Sequence, residues 1–384
     1  MIDKLMPYLE PVRIAVLVFP LIAAFFTIPF LIRNYRKYGG IAMMRVLVVY
    51  SFILYSLCAF FLTILPLPSR EAVAAMAPKP IGWIPFTDLN TGLVKSGMDI
   101  AVPATLFSGG CWKAFFTSND FFQIIANIIM QMPLGFYLRY YFRCSWKRTA
   151  CIGFLVSLFY ETTQFTGLWF LYPQAYRYAT VDDLICNTLG CLLGFWLSPI
   201  LTRFLPSREE IDRISYAKGQ QVTPLRQAVA ACADGALYLI LTATLLRVVS
   251  PFSRQLDVPL RVWLISSFMV YFVLLPWLTK GYTPGCLLLK FRITNDDGTP
   301  PNPWRLFLRH SILFLVEPIF FYMAVLPLSV LLLILISVGL SWKIRLAFAG
   351  CCLLAVLLCL GFLLRCWNRW GVFPHSHYSR TKTK

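Results

Sequence analysis

The chain has 384 residues, of which 58% are hydrophobic and only 14% are charged, and its formal net charge is +18. A soluble domain carries about 25% charged residues, so the composition excludes an ordinary soluble protein. The apolar runs are roughly 20 residues long, which suits helices crossing about 30 Å of hydrocarbon and excludes the short alternating strands of a membrane β-barrel. In a soluble protein +18 would suggest a nucleic-acid partner. Here the basic residues lie between the apolar runs, as in the positive-inside pattern, so no nucleic acid is expected.

Span 1 is predicted at about 13–32, too long for a removable signal and without a small-residue cleavage site. Arg33, Arg36, Lys37 and Arg45 follow it, with Gly39-Gly40 as the turn. Span 2 covers about 46–65 and ends at Pro66 and Pro68. Residues 69–119 carry nearly balanced charge with many prolines and glycines. They are predicted outside the membrane on the extracytoplasmic face, without one continuous helix, and Trp83, Phe86 and Trp112 suit interfacial depth. Spans 3, 4 and 5 are predicted at about 121–142, 149–171 and 181–205. Spans 6 and 7 follow at about 227–248 and 262–278. The stretch LLLKFRITNDDGT reads as a short strand and turn, or as a surface helix and turn. Glu317-Pro318 breaks the next apolar run, which places span 8 at about 322–340 and span 9 at about 344–364.

The predicted fold is therefore all-α, a polytopic transmembrane bundle of about nine spans in two modules. The divisions are a first module at 1–205, a cytoplasmic linker at 206–223, a second module at 224–370 and a basic cytoplasmic tail at 371–384. The charge bias predicts the N-terminus outside and the C-terminus in the cytoplasm. Most of the twelve cysteines, including Cys58, Cys151, Cys186, Cys191 and Cys232, fall in apolar runs and read as small packing residues. With three histidines and neither CxxC nor HExxH, no metal site is expected, and no cofactor is implied.

Spans 3 to 5 carry polar residues that lipid does not tolerate cheaply, since a carboxylate at mid-helix costs about 2.5–3.5 kcal/mol on insertion scales. Asn127 and Gln131 are four apart. Ser157, Glu161 and Gln164 follow at spacings of four and three. Asp182, Asp183 and Asn187 open span 5, and Gly190 and Gly194 continue the face of Asp183 and Asn187. The GxxxG spacing permits close approach of another helix. For Asn127, Gln131, Asn187 and the glycines, packing alone is an equal explanation. For Glu161 and Asp183, a polar pocket opening outward is the better one, with Arg177 of the adjoining loop as the nearest cationic candidate.

Taken in order, these motifs carry a resemblance. They are Ile84-Pro85-Phe86, then Asn127 with Pro133 and Gly135, then Ser157-x-x-x-Glu161-x-x-Gln164-Phe165, then Asp183-x-x-x-Asn187-Thr188-x-Gly190 with Gly194. Together they resemble the VanZ-like family of bacterial membrane proteins over about 84–199. Downstream, Arg226, Asp234, Gly281-Tyr282-Thr283-Pro284-Gly285, Asn295-Asp296-Asp297-Gly298 and Arg309 resemble an RDD domain, from about residue 224 onward. Cys286 departs from that pattern, in which lysine is frequent at this position. Within the RDD-like part, Arg226, Asp234, Asp297 and Arg309 are the candidate functional residues. The Gly281–Gly285 segment reads as a turn, because no GK[ST] follows it to make a phosphate cradle.

The VanZ-like resemblance implies a protein of the bacterial cell membrane, of the kind associated with low-level resistance to teicoplanin-type glycopeptides. Its expected partners are membrane lipids and a lipid-linked cell-wall precursor or lipoglycopeptide. Three functions fit the residues. The first is binding or modulation of such an amphiphile at Asn127, Gln131, Ser157, Glu161, Gln164, Arg177, Asp182, Asp183 and Asn187. The second is a membrane enzyme with Glu161 as general base and Asp183 as acid or orienter. The absence of a GxSxG nucleophile motif weakens it. The third is a cation or proton transporter using Glu161 and Asp234.

Overall fold

The structure is a computed structural model that describes residues 2–77, 79–98, 102–255, 259–316 and 372–384, with isolated positions between 350 and 365. Predicted span 8 lies outside the described residues, as does span 9 apart from those isolated positions. Helix α1 covers Ile2–Tyr38 and α2 covers Met43–Ile64. Four short helices follow: α3 (Arg70–Ala74), α4 (Thr87–Lys95), α5 (Pro103–Leu106) and α6 (Gly109–Phe116). The next elements are α7 (Asn119–Tyr140), α8 (Trp146–Phe165), a tight turn α9 (Gly167–Phe170) and α10 (Val181–Leu201). Then come α11 (Arg208–Gly219), α12 (Pro224–Gln255), α13 (Leu260–Met269) and, after a π-helical turn at Val270–Leu274, α14 (Leu275–Leu278). Helix α15 is Pro284–Leu289, strand β1 Ile293–Asn295 and α16 Pro303–Ser311. Helix α17 (Pro374–Ser379) and strand β2 (Thr381–Thr383) complete the order.

Among the described residues the fold is all-α but for one pair of three-residue strands. Among the described residues six helical stretches are long and apolar enough to cross a membrane: Leu9–Tyr38, Met43–Ile64, Asn119–Tyr140, Val181–Leu201, Pro224–Val248 and Arg261–Leu278. Helix α8 is as long as its neighbours but is not one of them, since Lys147 and Arg148 at its start and Glu161 and Gln164 near its end lower its hydropathy; Ser157, Glu161, Thr163 and Gln164 are buried. It also ends at Phe165, short of the predicted 171. Gly167, Leu168, Trp169 and Phe170 all have positive φ, and the Thr166 hydroxyl accepts from the Trp169 amide, so the chain turns there.

Two compact units result, Met1–Thr27 with Ala42–Arg213 and Ile28–Ile41 with Ile214–Lys384. The division falls inside α11, within the stretch read as a linker. The second unit also takes in the end of α1, which hydropathy alone does not suggest.

In the first unit α10 packs against α7 almost backbone to backbone. A Cβ on Gly190 would strike the Ile128 carbonyl, one on Gly194 the Met132 carbonyl, and one on Gly135 of α7 the Cys191 carbonyl. Small residues on membrane helices permit this approach. Cys191 is fully buried, and its Sγ lies 3.7 Å from the Thr149 carbonyl of α8. Leu134, Leu138 and Cys191 form the core there, with Phe52, Tyr55, Ile152 and Val156 against them. At the other end of α2, buried Arg45 pairs with Asp212 at 2.5 Å.

In the second unit the core gathers Tyr35, Ala230, Val273, Cys286, Leu289, Phe291, Ile293 and Leu306. The stretch LLLKFRITNDDGT divides, with its leucines in α15 and Ile293–Asn295 as β1. The residues at 374–384, read from sequence only as a basic tail, are structured. Strand β2 pairs antiparallel with β1 in the register Ile293–Thr383, Thr294–Lys382 and Asn295–Thr381. The amide of Arg292 bonds the Lys384 carbonyl at 2.8 Å. Nothing in the hydropathy of a short basic segment signals such pairing.

Candidate functional site

The polar residues of the first unit gather where α7 and α10 begin and α2 and α8 end. Thr180 is the hinge of the arrangement. Its hydroxyl caps α10 by accepting from the Asp183 amide at 3.1 Å, while its own amide donates to Glu161 Oε2 at 2.9 Å. Thr180 thus links the last turn of α8 to the first turn of α10. The Asp183 carboxylate accepts from Asn127 Nδ2 of α7. One turn deeper, Asn187 Nδ2 donates to Ser157 Oγ at 3.0 Å, and Ser157 Oγ lies 3.4 Å from the Asp183 carbonyl. Five of the predicted residues, Asn127, Ser157, Glu161, Asp183 and Asn187, therefore form one network. The other Glu161 oxygen has no hydrogen-bond partner among the described residues.

Asp182 turns the other way. Its carboxylate accepts from the Phe86 amide at 2.5 Å, and Gly82 bonds both Ala179 O and the Val181 amide at 2.9 Å. The Ile84–Phe86 motif is thereby fixed to the start of α10, where a carboxylate also complements the helix dipole. A recess of about 30 Å³ lies beside it, lined by Asp120, Gln123, Ile124, Asn127, Asp182 and Asp183. That is room for about one water.

Arg177 has a different task from neutralising the acids. Its Nη1 donates to the Thr63 carbonyl at 2.7 Å and to that of Leu62 at 3.3 Å. Gln164 Nε2 donates to the same Thr63 carbonyl at 3.0 Å, and the Tyr176 hydroxyl to Ile64 O at 2.5 Å. These three side chains satisfy the open carbonyls at the end of α2, where a cation is favoured. Gln131 lies one turn below Asn127 and is fully buried. Its Oε1 accepts from the Tyr55 hydroxyl at 2.8 Å, and its Nε2 has no hydrogen-bond partner among the described residues.

Sequence reasoning missed Thr180, Tyr176 and Tyr55. Threonine just before an apolar run is a capping signal. A tyrosine within or beside such a run gives no comparable signal.

In the second unit Arg226 and Asp234 grip α15 at both ends. Asp234 Oδ1 accepts from the Gly285 amide at 2.6 Å and from the Tyr271 hydroxyl at 3.3 Å, while Oδ2 accepts from the Thr283 hydroxyl at 2.5 Å. Arg226 donates to the Leu289 carbonyl at 2.7 and 3.0 Å and to that of Lys290 at 2.8 Å. The anion meets the helix N-terminus and the cation its C-terminus, each the favoured sign. Gly285 is required because a Cβ there would strike the Ala230 carbonyl and the Asp234 carboxylate.

Arg309 and Asp297 are employed elsewhere. Arg309 Nη1 donates to Ser376 Oγ at 2.6 Å and Thr381 Oγ1 at 2.8 Å, which ties α16 to the C-terminal segment. Asp297 is exposed and accepts from the Thr299 hydroxyl at 2.6 Å and amide at 3.0 Å, and these bonds hold its carboxyl below the usual range. A cavity of about 130 Å³ beside Asp234 is also lined by Gln227, Thr283, Arg309, His310 and His375. His310 Nδ1 lies 2.9 Å from the Leu306 carbonyl, which places its proton on that nitrogen. Among the described residues no group of three His, Cys, Asp or Glu could hold a metal ion.

Residues 52–202 match the VanZ/LLP1 family model, and residues 222–369 match the RDD family model. No curated protein and no solved structure matches the chain.

Proposed function

Because this multi-pass membrane protein joins a VanZ-like module to an RDD module, we propose that its VanZ-like polar site faces outward and binds or modulates an amphiphile of the cell envelope. The amphiphile is a lipid-linked component or a teicoplanin-type lipoglycopeptide. In this reading the N-terminus lies outside and the C-terminus in the cytoplasm, as the distribution of basic residues favours.

The observation that carries the reading is Glu161. One carboxylate oxygen is fixed by the Thr180 amide, and the other has no partner among the described residues and can accept from a ligand. That second oxygen is not among the enclosed polar atoms, so a polar group from outside the protein can reach it. The network around it fixes its position on three helices, which favours recognition of a particular polar group.

The test is glycopeptide susceptibility in a sensitive Gram-positive host expressing this chain, beside Glu161→Gln at matched membrane levels. Raised resistance that disappears in the variant is the expected result. Equal susceptibility in both strains and in the empty host overturns the reading.

One observation favours a second reading, an enzyme acting on lipid-linked or headgroup substrates. Glu161 and Asp183 are joined through the single residue Thr180, and Asn127 holds Asp183 as an orienter would be held. Turnover of a headgroup that is lost in Glu161→Gln while binding persists would favour it.

A further inference from the structure

Helices α2, α7 and α8 leave between them an apolar slot of about 400 Å³. Phe52, Tyr55 and Phe60 of α2, Gln131 of α7, and Phe159 and Tyr160 of α8 are its main walls. The volume falls at the lower end of small-molecule sites, which run from about 300 to 1,000 Å³. From Phe52 to Phe60 the slot follows α2 for about 12 Å at 1.5 Å per residue.

Gln131 is the one amide side chain in this lining, and its environment is incomplete. The residue is fully buried, Tyr55 occupies Oε1, and Nε2 has no partner among the described residues. Either orientation of the amide leaves one end without a protein bond. With Oε1 on Tyr55, the free end is a donor and calls for an acceptor. The slot also has a direction. Phe60 and Phe159 stack with ring centroids 6.1 Å apart, one to two turns from the ends of α2 and α8, and Tyr160 adjoins Glu161. The polar network therefore lies toward this end of the slot, Gln131 lies one turn below Asn127, and Phe52, Leu134 and Val156 lie farther from it.

We infer that the slot holds one acyl chain of an amphiphile, with the acyl carbonyl accepting from Gln131 Nε2. The headgroup end rests on the reading of the polar site given above, whereas occupancy of the slot does not. An ester-linked phospholipid and an amide-linked lipoglycopeptide tail share this chemistry. A polyisoprenyl chain lacks the carbonyl.

The test uses full-length protein in vesicles containing a phospholipid with a photoactivatable diazirine in its acyl chain, with adducts mapped by mass spectrometry. Adducts should concentrate on Phe52, Tyr55, Leu134 and Val156. They should fall about tenfold, equivalent to ~1.4 kcal/mol of binding, in Ser56→Phe, which fills the slot. Gln131→Leu, which keeps the volume and removes the donor, should weaken labelling in the same direction without a packing defect. Labelling spread evenly to the exposed Leu155 and Leu197, or unchanged in both variants, overturns the inference. So does a polyprenyl phosphate that competes better than the phospholipid. Competition by a lipoglycopeptide but not by its deacylated form supports the acyl assignment with the antibiotic as source. Its absence, with the expected labelling, supports it with the phospholipid as source. Labelling that persists in Glu161→Gln supports the slot while telling against the polar-site reading.

Discussion

Arg226 and Asp234 stand eight residues apart on α12, but the clamp they form was not legible in the sequence, because the clamped helix is only six residues long. Their shared target makes them interdependent. Asp234→Ala strands the Gly285 amide and the Thr283 hydroxyl, and an unanswered buried polar group costs about 1–3 kcal/mol. Arg226→Ala should cost a comparable amount. Since both side chains hold α15, the double variant should fall short of additivity by about 0.5–3 kcal/mol. Thermal unfolding of the detergent-solubilised protein measures all three. Tyr176 gives a pH dependence. Burial raises its phenol from 10.0 to about 12, outweighing the opposing pull of Arg177. The folded state thus keeps a proton that the unfolded chain gives up, so stability should be intact below pH 10 and fall as pH climbs toward 12. Tyr176→Phe should flatten that slope in chemical denaturation across alkaline pH. Cys286 is buried, and burial pushes its thiol up to about 11. Since the thiolate is the reactive form, maleimide at neutral pH should label Cys111 and Cys144 well before Cys286, which should react only on unfolding.

Helices α7 and α10 are held by an absence of side chains. The spacing of Gly190 and Gly194 announced a close neighbour, but only the structure identifies it as α7, with Gly135 answering from the other side. Gly194→Leu would drive a branched side chain into the Met132 carbonyl, where flexible side chains cannot yield. The expected loss is at least the ~1–3 kcal/mol of ordinary overpacking, read as a lowered melting temperature and an altered α7–α10 distance by spin labelling. Apolar runs showed where these helices lie, since burying or lipid-facing their side chains needs only length and composition. Helix ends were harder. The sequence suggests that α8 continues to 171, because GLWFL is apolar. The chain instead turns at Gly167, and Thr166 caps the turn. Arg177 was misjudged for a similar reason. Proximity in sequence to the acids suggested a neutraliser, while the open carbonyls of α2, distant in sequence, are what it serves.

For the whole molecule, composition alone decided the membrane class, and ordered motifs decided the two modules. The folding of the basic C-terminal segment into the second unit was not legible. Three-residue strands have no periodicity to detect, and Arg309, singled out as a candidate functional residue, gave no sign in the sequence of its partners Ser376 and Thr381. Deleting 374–384 should leave β1 without its partner and Arg309 without both hydroxyls. Limited proteolysis should then open the RDD module while peptides from 52–202 remain protected. The pairing of β1 with β2 also has a consequence for biosynthesis. Strand β1 leaves the ribosome long before β2, so its edge waits unpaired while the intervening chain is still being made. An unpaired edge of that kind invites wrong partners. Its brevity, and the flanking Lys290 and Arg292, limit that hazard during the delay.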